Sequence, residues 1–116
     1  MRTESLRAAA ALLAPLALVV PFAFAAAPAA PPPGKAVFDR WCAECHAPGH
    51  GHPGTQQLGW TRGEKFAVLE QRRDLDPGYV RLVVRRGLAG MPPYRPSEIP
   101  DASLQQLAAY LARQPR

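Results

Sequence analysis

Beyond its initiator, this chain of 116 residues has one methionine, and it has only two cysteines. Two cysteines allow a single disulfide at most. No segment alternates apolar and polar residues as a half-buried strand does, so a sheet-based framework is excluded. No internal repeat shows, which removes repeat architectures. After Phe24 there is no second long apolar run, hence no further candidate for a membrane span. The formal charge is +5, yet no nucleic-acid-binding motif accompanies it.

The first 25 residues read as a secretory signal. Arg2 and Arg7 make a basic start, an alanine- and leucine-rich run follows from Ala8 to Phe24, and Ala23-Phe24-Ala25 fits a small-residue cleavage site. Pro15 and Pro21 interrupt the run, which argues against an uncleaved anchor. Residues 26–33 are a proline- and alanine-rich flexible lead, and residues 34–116 are the folded domain. The expected location is the periplasm, with no membrane attachment once the signal is removed. Without Arg2, Arg7 and Glu4 the remainder holds twelve basic and eight acidic residues, a formal charge of +4.

Four helical patterns fill the domain, giving an all-α class. The first covers about Lys35 to Cys45, with Val37, Phe38, Trp41 and Cys45 on one face and Pro48-Gly49 as its stop. "APGHGHPGTQQLG" reads as an ordered loop. A short helix is expected from Glu64 to about Arg72, with Phe66, Val68 and Leu69 inward. Asp76 and Pro77 mark the start of a third helix, which Gly87 ends. Val80, Val83 and Val84 form its inner stripe, and Arg81 and Arg85 fall on the opposite face. "AGMPPYRPSEIP" carries four prolines and must run extended or in turns. A last helix spans about Asp101 to Arg113, with Leu104, Leu107, Ala108 and Leu111 inward. Two long loops in so small a domain are expected to wrap something.

"WCAECH", residues 41–46, contains both a C-x-x-C dithiol and a C-x-x-C-H haem-attachment pattern. A redox dithiol needs a strand before the first cysteine within a βαβ unit, and none is available. A disulfide between Cys42 and Cys45 would close only a tiny loop and stabilise little. Zinc held by Cys42, Cys45, His46, His50 and His52 would require adjacent ligands at Cys45 and His46, against normal spacing. A single covalent c-type haem uses every residue: two cysteines on one helical turn make thioethers to neighbouring vinyl groups, and His46 lies under the iron. Met91, set in the rigid "GMPPY" 45 residues further on, is the candidate sixth ligand. His/Met ligation leaves no open iron position, which favours electron transfer over catalysis.

With these motifs the chain resembles the small class I c-type cytochromes. That resemblance covers about Gly34 to Ala112 and implies crossing N- and C-terminal helices, with Gly34 and Phe38 meeting Leu107 and Tyr110. More narrowly, "GHPGT", "LEQRRDL", "YVRLVVRRGL" and "MPPYRPSEI" are similar to the cytochrome subunits of flavocytochrome phenol dehydrogenases of the 4-cresol dehydrogenase and eugenol hydroxylase type. The resemblance implies a non-catalytic redox subunit. It would accept electrons one at a time from an FAD-containing subunit that oxidises a para-alkylphenol, then pass them to a periplasmic acceptor. The alternative is a free-standing periplasmic cytochrome, or the acceptor of another dehydrogenase such as a quinoprotein.

The family also implies a proline carbonyl that holds the ligand imidazole. Pro53 is the candidate, with Pro48 as the alternative. Trp60 is a candidate donor to a haem propionate, or else a packed aromatic. Trp41 is expected to pack beside the first helix. Arg72, Arg73, Arg81, Arg85, Arg86 and Arg95 offer propionate partners, an acidic-partner surface or a solvated face. Tyr94 and Pro92 are expected to border the haem edge.

Overall fold

Pro32 and Pro33 start the first helix, where a missing N–H costs nothing and a fixed φ is already helical. The computed structural model describes residues 29–112, so the signal expected over residues 1–25 lies outside the described residues. Five α-helices follow in order: α1 Pro33–Trp41, α2 Ala43–His46, α3 Pro53–Arg62, α4 Pro77–Arg86 and α5 Asp101–Ala112. Two 3₁₀ turns, Glu64–Phe66 and Leu69–Gln71, lie between α3 and α4. No strand occurs among the described residues; Leu88 and Met91 form an isolated antiparallel bridge.

The expected first helix is present but kinked. Cys42 departs to φ −117°, while its N–H still donates to Phe38 and its carbonyl still accepts from His46, both at 2.8 Å. The haem-type motif thus begins at the kink and ends on α2.

Helix α1 packs mainly on α5, and α4 packs on α5 from another side. The core is Phe38, Cys42, Val80, Val84, Ile99, Leu104, Leu107, Ala108 and Leu111. Phe38, Ile99 and Leu107 are almost wholly buried, which contributes roughly 1.5–3 kcal/mol for each side chain. The crossing rests on Gly34. A Cβ there would fall 2.1 Å from the Gln106 carbonyl oxygen and 2.4 Å from Tyr110 Cβ. One turn on, Phe38 meets the Tyr110 ring at 6.3 Å between centroids. The four residues expected at the crossing are all buried or half-buried.

Tyr110 also donates its hydroxyl to the Glu70 carboxylate, which ties the second 3₁₀ turn to α5. Lys35, paired with Asp39, lies 3.8 Å from Glu70 and draws α1 into the same group.

Helix α4 forms as its sequence indicates. Asp76 accepts from the Tyr79 N–H at 2.9 Å, Pro77 occupies the first turn, and Gly87 ends the helix at φ 74°. Two expectations fail. Residues 53–59, read as the end of a loop, belong to α3. Residues 64–72, read as one helix, form two 3₁₀ turns separated at Val68, whose ψ of 110° is extended. Between them it is Ala67, not Phe66 or Leu69, that is fully buried. Phe66 is half-buried beneath the Lys65 and Arg72 cations.

Gly34→Ala should destabilise the domain by about 1–3 kcal/mol through overpacking, as measured by denaturant unfolding. The Tyr110 phenol is held above its ordinary value of 10.0, first by burial and then by the bond to Glu70. The fold therefore favours the protonated phenol. That stabilisation is complete below pH 10.0 and is lost as pH rises beyond it. Tyr110→Phe should flatten the alkaline limb of the stability profile.

Candidate functional site

The WCAECH turn sits where α1 ends and α2 begins, and its members differ sharply in environment. Cys42 belongs to the buried core, whereas Cys45 is exposed. Both are free thiols. Burial pushes the Cys42 thiol up to about 12, with the neighbouring Cys45 adding to the shift. A disulfide oxidoreductase needs the opposite, a thiolate favoured near neutrality. Among the described residues no three His, Cys, Asp or Glu side chains gather as a metal cluster.

His46 closes α2 and turns inward against α3. Burial lowers its pKa below the ordinary 6.5, so the imidazole is neutral and able to donate a lone pair. Its Nδ1 is the one buried side-chain nitrogen or oxygen without a hydrogen-bond partner among the described residues. Such an atom carries a desolvation cost of about 1–3 kcal/mol.

The wall behind that ring is the start of α3. A Cβ on Gly54 would lie 2.5 Å from His46 Cε1, 2.8 Å from Nδ1 and 2.8 Å from the Cys45 carbonyl. Thr55 is buried and its hydroxyl donates to the Ala47 carbonyl at 2.9 Å. His52, just before α3, donates from Nδ1 to the Glu44 carbonyl at 2.9 Å; a carbonyl only accepts, which sets the tautomer. Two side-chain bonds and one glycine contact therefore lock α3 onto α2.

The expected proline acceptor is not realised. Pro53 is the first residue of α3, so its carbonyl points along the helix, and neither it nor Pro48 reaches His46 Nδ1. Trp60 lies on α3 and is 78% exposed. Trp41 does pack: it meets Tyr94 edge-on at 5.9 Å and carries the Arg40 cation at 5.3 Å. Tyr94 is part of that packing, with its hydroxyl donating to the Trp41 carbonyl at 3.4 Å.

Met91 stands half-buried against the core at the end of a tight hairpin. Leu88 and Met91 exchange two backbone hydrogen bonds, of 3.1 and 2.9 Å, around Ala89-Gly90. Ala89 takes a left-handed φ of 52° there. Of the arginines, Arg72 forks onto Asp74 and Arg95 pairs with Glu98. Arg85, read as facing outward, is half-buried and donates to the chain beyond Met91. Gly54 and Thr55 are the residues that sequence reasoning did not place at the site.

The donor set fits a c-type haem. It offers two thiols three positions apart, a neutral imidazole backed on one side by α3, and a thioether on a rigid hairpin.

Comparison with known proteins agrees. The sequence profile of the family described as cytochrome C oxidase, cbb3-type, subunit III matches residues 29–111. The 4-cresol dehydrogenase (hydroxylating) cytochrome c subunit of Pseudomonas putida is 35% identical over 82 residues, which is 71% of this chain and 60% of that one. A chain in the crystal structure of p-cresol methylhydroxylase with substrate bound is 34% identical with a TM-score of 0.50. The match covers 72% of this chain and 93% of the other.

Gly54→Ala should displace the His46 ring or the start of α3, costing about 1–3 kcal/mol. The check is denaturant unfolding together with the NMR shifts of the His46 ring.

Proposed function

The chain belongs to the cytochrome c family, through the group described as cytochrome C oxidase, cbb3-type, subunit III, and from that premise we propose that it is the electron-transfer haem subunit of a flavin-dependent phenol dehydrogenase. The observation that carries the proposal is the half-buried His46 imidazole, placed directly after Cys42 and Cys45 where α1 gives way to α2 and backed on its Nδ1 side by Gly54 of α3. In this assignment Cys42 and Cys45 would hold the porphyrin by thioethers, and His46 and Met91 would hold its iron. A haem bound there would supply a one-electron couple. The protein's own part is to hold that group rigidly. Burial keeps His46 neutral, Gly54 lets α3 back the ring, and the hairpin fixes Met91. Trp60, exposed on α3, is assigned to a propionate.

The identity of the partner rests on the relatives, whose names are those of phenol-oxidising enzymes. An FAD-bearing subunit would oxidise a para-alkylphenol and hand over electrons singly. No catalytic residue is assigned to this chain. A signal over residues 1–25 would deliver it to the periplasm, where a further carrier accepts the electrons. No helix among the described residues is long and apolar enough to cross a membrane.

Two measurements test this. The holoprotein should retain its haem through acid–acetone extraction and show the weak long-wavelength band of methionine–ferric iron ligation; Met91→Ala should abolish that band. Pull-down from the native periplasm should recover a flavin-containing partner. Recovery of the cytochrome alone would make it a free-standing carrier.

A further inference from the structure

The hydrogen bonds internal to the segment after Met91 lie in a turn at residues 95–99. Pro92, Pro93, Pro96 and Pro100 bring no N–H, and residues 92–95 form neither helix nor strand. What holds the segment is the end of α4. On the near side, Gly87 lets the Met91 carbonyl approach so closely that a Cβ there would lie 2.6 Å from it. On the far side, the Tyr94 N–H donates to the Val84 carbonyl at 2.8 Å. Arg85 then spreads its guanidinium over three acceptors. Nη1 donates to the Tyr94 carbonyl at 3.0 Å; Nη2 donates to the Ile99 carbonyl at 2.8 Å and to Asp101 Oδ1 at 2.6 Å. These acceptors lie 9, 14 and 16 residues away, so one side chain gathers the whole stretch between the hairpin and α5. Tyr94, the first of them, rests on Trp41, the residue before Cys42.

We propose that Arg85 is a positioning residue for Met91. It acts through Tyr94, and it couples the methionine hairpin to the cysteine–histidine turn. A solvated helix face needs no such fork, and lysine, with a single point charge, cannot reproduce it. The proposal rests on the assignment of Met91 as a ligand. It states that the geometry of the thioether is set from α4, with Pro92 and Pro93 as a stiff, donor-free spacer.

The test is titration of the ferric holoprotein with imidazole, which competes with a methionine ligand. Arg85→Gln should bind imidazole about tenfold more tightly than the parent and lose the methionine band at correspondingly lower imidazole. Hydrogen exchange at the Tyr94 amide should quicken relative to amides of α5. Lys65→Gln, which also removes one positive charge but only a cation over the Phe66 ring and none of the bonds named above, should keep imidazole affinity within about twofold of the parent. An Arg85→Gln protein with parental imidazole affinity overturns the proposal, whatever its melting temperature. If that variant does not accumulate as holoprotein, Asp101→Asn replaces it. That change leaves the guanidinium but removes its anionic anchor, and about a threefold gain in imidazole affinity is expected. Unchanged affinity overturns the proposal equally. Survival of the methionine band in Met91→Ala would instead sink the ligand assignment, and the role of Arg85 with it.

Discussion

Everything in this fold depends on how closely α1 approaches α5. At Gly34 the two backbones meet with no room for a single methyl group, and Tyr110 closes over the gap. That contact fixes the direction in which α1 runs, and α1 ends at the turn holding Cys42, Cys45 and His46. A small domain has little core with which to orient a functional turn. Here the orientation comes from one backbone crossing, one aromatic pair and the Tyr110–Glu70–Lys35 group beside them. The stability of the crossing and the geometry of the site are thus the same property measured in two places.

The second constraint is the imidazole. A neutral, half-buried histidine needs a wall, and α3 supplies it only because residue 54 has no side chain. This explains why the helix was hard to read. Gly54 and Gly59 are poor helix formers, and the segment has no strong apolar stripe. The glycine that obscures the helix in the sequence is the one that lets the helix reach the ring. Local propensity misleads at this point because function has overridden it.

Elsewhere the residues announced their places. The apolar spacing of α4 and α5, the Asp76-Pro77 start and the Gly87 stop are local signals, and each corresponds to an observed cap or buried face. Cys42, Cys45, His46 and Met91 stand out in the sequence by residue type and spacing. Partners distant in sequence were not legible. Periodicity places Arg85 four residues from Arg81 on one side of α4, but the two have opposite fates. Arg81 is exposed, whereas Arg85 finds three acceptors on a segment whose path no periodicity describes. The proline carbonyl expected behind His46 failed for a related reason: once residues 53–62 are helical, Pro53 spends its carbonyl on the helix.

Rigidity is therefore distributed in an orderly way. The His46 side is held by side-chain bonds from α3 to α2, while the Met91 side is held by bonds from α4 to an extended chain. The two halves meet at Trp41 and Tyr94, where an edge-on aromatic pair and one hydroxyl bond join the ends of both segments. A one-electron carrier benefits from surroundings that change little between its two oxidation states. Preorganised surroundings lower the cost of rearrangement when charge moves, as they do at other charge-developing sites. Fixing both candidate ligands from separate helices, and joining α1 to the segment beyond Met91 through one aromatic contact, achieves this in a domain with a thin core.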